Sequence, residues 1–298
     1  MELSYLLSVL RQYYDPAMRD LEALRASGGL TYAAYGTNGR CFVKLIRYPF
    51  LETAVSSAEV QLYLMENHFP VVALHLTRDG APYVRLQEEQ EYLLFLYDFV
   101  PGGEISSKDI EEAGALTGRL HELMGAYPGT LVPRDKPFFI DRYVEIMKRV
   151  AYPGEEAFRT LGATLWDRVK DLPRGYCHGD LYDGNIYKAD DGRLLVVDFD
   201  TSCYAFPVYD VVLFCNRTHY FEFDPKGRQR TQRRLKRFLK GYLSHASLTK
   251  AAIDAFNDLL AVYHFQLQAT IFQTFGDSPN MAEFFDKQYT WLTRWLAR

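Results

Sequence analysis

Few cysteines, no long apolar run and no strong net charge characterise this sequence of 298 residues. Its four cysteines, Cys41, Cys177, Cys203 and Cys215, form no C-x-x-C pair. A disulfide-rich secreted scaffold is therefore excluded, and reduced, mostly buried thiols are expected. The longest apolar run, residues 92–97, is far shorter than the roughly 20 residues that cross a bilayer. The amino-terminal residues contain no basic stretch before a small-residue cleavage site, so we expect no secretory signal, no membrane partner and a cytoplasmic location.

The charge balance points away from nucleic acids. A formal net charge of −4 argues against a general nucleic-acid-binding protein, which is usually basic. One stretch, residues 226–240, contains eight Lys or Arg and no acid. Leu235, Phe238, Leu239 and Tyr242 form a separate apolar stripe at helical spacing. We interpret the basic residues as the solvated face of a helix and predict no nucleic-acid partner. Whether this stretch binds another anionic partner stays an open question.

Hydrophobic periodicity divides the chain into two parts. Residues 1–25 are predicted to form a helix, and short strand-like runs with turn signals such as T-N-G and R-D-G follow. A helix over residues 51–67 interrupts these strands. A Pro-Gly-Gly joint at 101–103 ends the strand-rich part, and the remainder is mostly helical. The sequence predicts an α+β fold with a β-rich domain over residues 1–100 and a helical domain over residues 101–298.

One polar cluster, His178, Asp180 and Asn185, follows the pattern H-x-D-x-x-x-x-N, which has the order and spacing of a kinase catalytic loop. Asp198 follows thirteen residues later, at the end of an apolar strand. In phosphoryl transfer, Asp180 would accept the proton of the attacking hydroxyl, and His178 would brace the loop. Asn185 and Asp198 offer the hard oxygen ligands that suit Mg²⁺. Taken alone, the cluster is also compatible with turn-capping residues.

The β-rich part contains residues that could hold a nucleotide. Ser27, Gly28 and Gly29 precede a strand, where backbone N–H groups could cradle phosphates, although Gly-Gly is equally a plain loop. Lys44 interrupts the apolar strand F-V-K-L-I. A buried lysine needs a partner, and Glu59 on the following helix is the expected one. The alternative is a surface lysine with an unrelated solvated glutamate.

Four motifs resemble one family of small-molecule kinases. The segments HGDLYDGN, VVDFD, ALTGRLHEL and YDFVPGG are similar to those of the aminoglycoside phosphotransferase and choline/homoserine kinase family. The resemblance extends in the same order from about residue 21 to about residue 242. It implies a two-lobed, protein-kinase-like fold, in which residues 1–100 are the nucleotide-binding lobe and residues 101–298 the catalytic and acceptor-binding lobe.

Carried over to this chain, the resemblance implies ATP and Mg²⁺ as cofactors. It implies Asp180 as the catalytic base, Asn185 and Asp198 as magnesium ligands, and Lys44 with Glu59 at the nucleotide.

Further residues are assigned by the same resemblance. Asp98, Phe99 and Val100 would form the hinge whose backbone meets the adenine. Asp210 would brace the catalytic loop from a following helix, and Asp200, in D-F-D, would support the site.

The resemblance implies transfer of the γ-phosphoryl group of ATP to a hydroxyl of a small molecule such as an aminoglycoside, choline, homoserine or a sugar. Only eleven residues separate Asp198 from Asp210, and no A-P-E motif follows, so a peptide platform like that of protein kinases is not expected. The alternative function is a catalytically silent binding protein with a kinase fold. The acceptor, the choice between ATP and GTP, the oligomeric state, and whether Glu66 replaces Glu59 beside the lysine stay open.

Overall fold

The computed structural model describes residues 2–25, 30–277 and 280–297. Its helices are α1 (Leu3–Tyr13), α2 (Leu51–Glu66), α3 (Ile110–Met124), α4 (Arg142–Arg149), α5 (Glu155–Val169), α6 (Pro207–Cys215), α7 (Gly227–Tyr242), α8 (Lys250–Asp254), α9 (Phe256–Phe275) and α10 (Met281–Leu296). Its strands are β1 (Arg19–Arg25), β2 (Leu30–Gly36), β3 (Gly39–Ile46), β4 (Leu74–His75), β5 (Val84–Gln87), β6 (Glu91–Asp98), β7 (Gly102–Glu104), β8 (Gly175–Cys177), β9 (Ile186–Ala189), β10 (Leu194–Val196) and β11 (Cys203–Ala205). The α+β prediction is confirmed, with strands predominant in the amino-terminal part and helices in the carboxy-terminal part.

The chain consists of two compact units. The first unit comprises Met1–Ile105, Tyr127–Val132 and Asp183–Ser202, and the second comprises Ser106–Ala126, Pro133–Tyr182 and Cys203–Arg298. These bounds differ from the division expected after residue 100. The difference arises from backbone pairing, because the N–H of Val196 in β10 donates to the carbonyl of Pro70 (3.0 Å). β9 pairs with both β10 and β7, which extends the first unit beyond the Pro-Gly-Gly joint.

The larger sheet of the first unit has the strand order β1-β2-β3-β6-β4, and β5 pairs with β6. Alternate residues of β3 are buried, so Val43 and Leu45 pack into a core together with α1. Lys44 lies between them and therefore belongs to the opposite face of the strand. Ile46, at the end of β3, and Phe95 of β6 pack in a second core with Ala54 and Ala58 of α2. The strand period thus assigns Lys44 to the face opposite the α1 core.

The amino-terminal helix is shorter than the sequence predicts. α1 ends at Tyr13, and β1 pairs with β2 in antiparallel orientation. Pro16 has no backbone N–H to continue a helix, and Asp20 has a positive φ of 52°. The segment Arg19–Arg25 has helix-forming residues, but pairing with the edge of the sheet overrides that local preference.

The second unit is built around α9, against which α4, α5, α6 and α10 pack. The buried ring of Tyr143 makes edge-to-face contacts with Phe158, Phe265 and Phe285 at centroid distances of 5.7, 5.8 and 5.8 Å. Such contacts add to the stabilisation from apolar burial. Within the described ranges, every helix is too short or too polar to span a bilayer.

The basic stretch of residues 226–240 forms most of α7, as predicted. Several of its cations have local partners. Arg230 pairs with Asp224 at 2.5 Å, and Lys240 pairs with Glu111 at 2.6 Å. The buried Arg234 donates from Nε to the Phe214 carbonyl at 2.8 Å. Part of this positive charge therefore serves the packing of the second unit.

Glycines allow α3 and α7 to approach closely. A Cβ at Gly241 in α7 would lie 1.8 Å from the carbonyl oxygen of Glu111, and one at Gly114 in α3 would lie 2.1 Å from the carbonyl oxygen of Phe238. Only a residue without a side chain permits such a contact between two helix backbones. This explains physically the glycines in the segment G-A-L-T-G-R-L of α3.

We expect Gly241→Ala to lower the free energy of unfolding by about 3 kcal/mol, because the added methyl group collides with backbone atoms that cannot rotate away. Urea unfolding followed by circular dichroism measures the change. Gly103→Ala is the matched control, since a Cβ there meets nothing within 4 Å. A midpoint for Gly241→Ala equal to that of the control would contradict the close-contact interpretation.

Candidate active site

The loop that contains His178 and Asp180 follows β8 in the second unit and is bonded to one buried carboxylate. Gly179 has a φ of 83°, a conformation that favours glycine. The backbone N–H groups of His178 and Gly179 donate to Asp210 at 2.6 and 2.9 Å, and the N–H of Asp180 donates to His178 Nδ1 at 3.4 Å. His178 and Asp210 are fully buried. The structure thus brings Asp210 of α6 to the loop that the resemblance assigned to it.

A histidine that the sequence did not mark as functional extends this network. His121 Nε2 lies 3.0 Å from the Asp210 carboxylate, and its Nδ1 lies 2.8 Å from the Tyr242 hydroxyl. When Nε2–H donates to the carboxylate, Nδ1 accepts from the hydroxyl. The close approach of α3 and α7 brings His121 and Tyr242 together. The motif ALTGRLHEL was the signal in the sequence, but only the packing indicates the role of its histidine.

In the first unit, Lys44 of β3 meets two carboxylates of the D-F-D segment. Its Nζ lies 2.7 Å from Asp198 Oδ1 and 2.5 Å from Asp200 Oδ2. The side chains of Lys44 and Asp200 are 12% and 13% exposed, and that of Asp198 is 41% exposed. The structure therefore joins a strand lysine to an acidic segment about 150 residues further along the chain.

The predicted ion pair between Lys44 and Glu59 is absent from the described part of the structure, so this prediction is corrected. Glu59 is exposed on α2, where its charge adds to the effect of burial that raises the pKa of Tyr127. Glu66, the alternative partner, is also exposed, at the end of α2. The short turn Phe199–Thr201 packs against α2 and carries Asp200 to the lysine. The packing of this turn on α2 therefore brings the carboxylate of Asp200 to Lys44, where the sequence had predicted Glu59 of the helix.

The electrostatics of this cluster follow from burial and charge. Burial alone would lower the pKa of Lys44, but the carboxylates of Asp198 and Asp200 raise it, so the ammonium stays charged. Burial raises the pKa of Asp200, and Asp198 adds to this effect while Lys44 opposes it. A buried charge is stable only beside an opposite one, which explains why the three groups lie together.

The oxygen donors proposed for a metal are brought together by the β9–β10 hairpin. Ile186 is opposite Val196, and the N–H of Val197 donates to the carbonyl of Asn185 at 3.1 Å. Asp198 then adopts a left-handed conformation, with a φ of 66°, which aspartate tolerates better than most residues. The amide of Asn185 and the carboxylate of Asp198 are hard oxygen donors, so this pair fits a divalent cation such as Mg²⁺.

Two further groups of residues were predicted to contact the nucleotide, the glycine loop and the hinge. Ser27, Gly28 and Gly29 lie outside the described residues. The predicted hinge residues line a pocket of about 510 Å³ in the first unit, whose other walls are Asn38, Arg40, Pro101, Ala189, Asp190, Asp191 and Arg193.

Two backbone groups of the hinge already have hydrogen-bond partners. The N–H of Asp98 donates to Ala73 at 2.9 Å, and the carbonyl of Val100 accepts from the Tyr187 hydroxyl at 3.2 Å. The ring of Phe99 lies 3.9 Å below the guanidinium of Arg40.

Tyrosines that the sequence did not single out for catalysis lie within electrostatic reach of Asp180 in the second unit. Burial raises the pKa of both Tyr209 and Tyr263, and the negative charge of Asp180 contributes to both shifts. The hydroxyl of Tyr209 donates to Gln266 on α9 at 3.1 Å. Both phenols therefore stay protonated at neutral pH, and the negative charge of Asp180 favours that state.

Comparison with known proteins agrees with this arrangement. Residues 22–248 match the model of the family described as "Phosphotransferase enzyme family" (APH), so the chain belongs to that family and is a phosphotransferase. The family resemblance and the enzyme class predicted from the motifs are confirmed. No curated protein sequence matches the chain at a significant level.

Solved structures of small-molecule kinases share the fold. A microcompartment-associated aminopropanol kinase superposes with a TM-score of 0.75 at 16% identity, covering 99% of this chain and 98% of that one. Amicoumacin kinase hAmiN, in complex with AMP-PNP, Ca²⁺ and Ami, gives 0.74 at 17% identity, covering 99% and 93%. Choline kinase LicA from Streptococcus pneumoniae gives 0.68 at 16% identity, covering 98% of both chains. The prediction of a protein-kinase-like fold is thereby confirmed.

Proposed function

We propose that this phosphotransferase moves the γ-phosphoryl group of ATP, with Mg²⁺, to a hydroxyl group of a small molecule. The observation that carries the proposal is the ion-paired cluster of Lys44, Asp198 and Asp200. It joins the strand lysine to the acidic motif, two features that phosphoryl transfer requires together. Among the similar structures, hAmiN was solved with AMP-PNP and Ca²⁺ and LicA with AMP, which supports a nucleotide and a divalent cation here.

Each residue has a distinct task in this proposal. Asp180 accepts the hydrogen bond of the acceptor hydroxyl and takes its proton as the bond to phosphorus forms. Lys44 holds the phosphates by its charge. Asn185 and Asp198 would hold Mg²⁺, which when bound neutralises negative charge on the phosphates. Asp210 keeps the loop of Asp180 in place through the backbone bonds described above.

The chain between Asp198 and Asp210 favours a small acceptor. It consists of the turn Phe199–Thr201, strand β11 and the start of α6 at Pro207. These elements leave no segment long enough to support an extended peptide, as the activation segment of protein kinases does. The similar structures include kinases named for amicoumacin, aminopropanol and choline, which supports an amino-alcohol or antibiotic-like acceptor.

We expect ADP release to be stimulated by at least one member of a panel of amino alcohols, aminoglycosides, sugars and homoserine. Coupled detection of ADP measures turnover, with Asp180→Asn as the inactive control and generic protein substrates as the comparison. Transfer of radiolabel to proteins alone would contradict the small-molecule proposal. Nucleotide binding without turnover on any acceptor would favour the silent binding protein.

A further inference from the structure

Asp200 makes the shortest contact to Lys44 and has no task in the proposed transfer. Its Oδ2 lies 2.5 Å from Nζ, compared with 2.7 Å for Oδ1 of Asp198. Its side chain is also the less exposed of the two, at 13% against 41%. Both carboxylates therefore contact the lysine. That of Asp200 is the more buried, and that of Asp198 is exposed enough to reach another ligand as well.

The carboxylates of Asp198 and Asp200 differ in the number of cationic groups that they would serve. If Asp198 is a ligand of a divalent cation, its charge is shared between that cation and Lys44, and the lysine then needs a second anion. Glu59 does not supply it, because it is exposed on α2 and, within the described residues, makes no ion pair with Lys44. Within the residues that the structure describes, Asp200 is the other carboxylate in ion-pair contact with Lys44.

The local backbone holds Asp200 in place. The buried ring of Phe199 anchors the turn Phe199–Thr201, and the N–H of Ser202 donates to the carbonyl of Phe199 at 2.9 Å. The left-handed conformation of Asp198 begins this turn. The resulting bend lets the side chains of Asp198 and Asp200, two residues apart, reach the same ammonium group. In an extended strand these side chains would share one face, but they would not close around the ammonium.

We propose that Asp200, and not the helix glutamate Glu59, positions Lys44 for the nucleotide and thereby leaves the carboxylate of Asp198 for the divalent cation. The inference rests on the proposed function. Asp200 is a positioning residue in this proposal, because it acts through its ion pair with Lys44.

A double-mutant cycle tests this inference. Calorimetry measures binding of the non-hydrolysable analogue AMP-PNP, with and without Mg²⁺, to the wild type, Asp200→Asn, Lys44→Met and the double variant. We expect Asp200→Asn to weaken binding by about tenfold to a hundredfold, as is typical when one partner of a buried ion pair is removed. In the Lys44→Met background the same change should alter the affinity by less than about threefold, because the residue through which Asp200 acts is absent.

Magnesium provides a second measurement. In Asp200→Asn the ammonium has only Asp198 as an anionic partner in this cluster, so the gain in AMP-PNP affinity on adding Mg²⁺ should be smaller than in the wild type. Asp200→Glu keeps the charge and should bind AMP-PNP within about tenfold of the wild type while remaining coupled to Lys44. It also keeps the test decisive if Asp200→Asn does not fold.

Two controls separate this role from a general effect of lost charge. Asp79→Asn makes the same change in the exposed turn between β4 and β5, and thermal unfolding checks that each variant is folded. Glu59→Gln should stay within about threefold of wild-type affinity.

The inference is overturned if Glu59→Gln weakens binding and Asp200→Asn does not, or if Asp200→Asn acts equally in both backgrounds, which would make it an independent ligand. If the wild type binds no nucleotide, the proposed function is overturned as well. If the double-mutant cycle shows coupling between Asp200 and Lys44 but no acceptor is phosphorylated, only the proposed phosphoryl transfer is contradicted.

Discussion

Asp180→Asn is expected to lower kcat about a thousandfold while leaving nucleotide affinity within about threefold of the wild type. The amide is almost isosteric with the carboxylate but cannot accept the proton of the acceptor hydroxyl. The loop itself should keep its conformation, because Asp210 is bonded to the backbone N–H groups of His178 and Gly179. The loss should therefore appear in the chemical step and not in binding.

Single-turnover kinetics and calorimetry together measure these two quantities. Asp171→Asn, the same change at an exposed residue of the second unit, is the matched control and should keep kcat within about threefold of the wild type. Turnover of Asp180→Asn within tenfold of the wild type would remove Asp180 from the role of base. A parallel loss of nucleotide affinity would instead indicate that the substitution had disturbed the fold of the loop.

Asp198→Ala is expected to abolish the dependence of nucleotide affinity on Mg²⁺ and to lower kcat by about a thousandfold or more. The substitution deletes a hard oxygen donor and also one of the two carboxylates beside Lys44. Because Asp200 remains, the lysine keeps an ion-pair partner, and nucleotide binding without Mg²⁺ should persist. Loss of metal dependence with residual binding is the pattern that distinguishes a ligand from a structural residue.

Titration of AMP-PNP with and without Mg²⁺ measures this pattern by calorimetry. Asp79→Ala is the control, since it removes an exposed carboxylate in the same unit. If Asp198→Ala retains the full effect of Mg²⁺, the cation is held by another set of donors. Complete loss of binding in both conditions would indicate that Asp198 is needed chiefly to keep Lys44 in place.

The local motifs were predictable because their chemistry is encoded in contiguous residues. The spacing of His178, Asp180 and Asn185 is a property of one loop, and Asp198 ends a strand whose apolar pattern is continuous. The short strands and the helical carboxy-terminal part followed from periodicities of 2 and 3.6 residues, which depend only on neighbours in sequence.

The errors arose where a distant part of the chain determines the local outcome. Residues 19–25 have helix-forming composition, yet β2 offers an edge with unpaired backbone groups, and pairing there is worth more than local propensity. The division expected after residue 100 stays a prediction, while the compact units place strands from residues 186–196 in the first unit, because β9 pairs with β7 and β10.

By itself, the sequence determined the class of chemistry, because the residue types and their spacing in the motifs admit few other reactions. Only the tertiary structure decided which carboxylates meet Lys44, which side chain links Asp210 to Tyr242, and which tyrosines lie near Asp180. Each of those contacts joins residues from separate elements, and a buried charge takes the opposite charge that packing brings nearest to it. Sequence order proposed Glu59 for the lysine, and the packing of the turn Phe199–Thr201 against α2 supplied Asp200 instead.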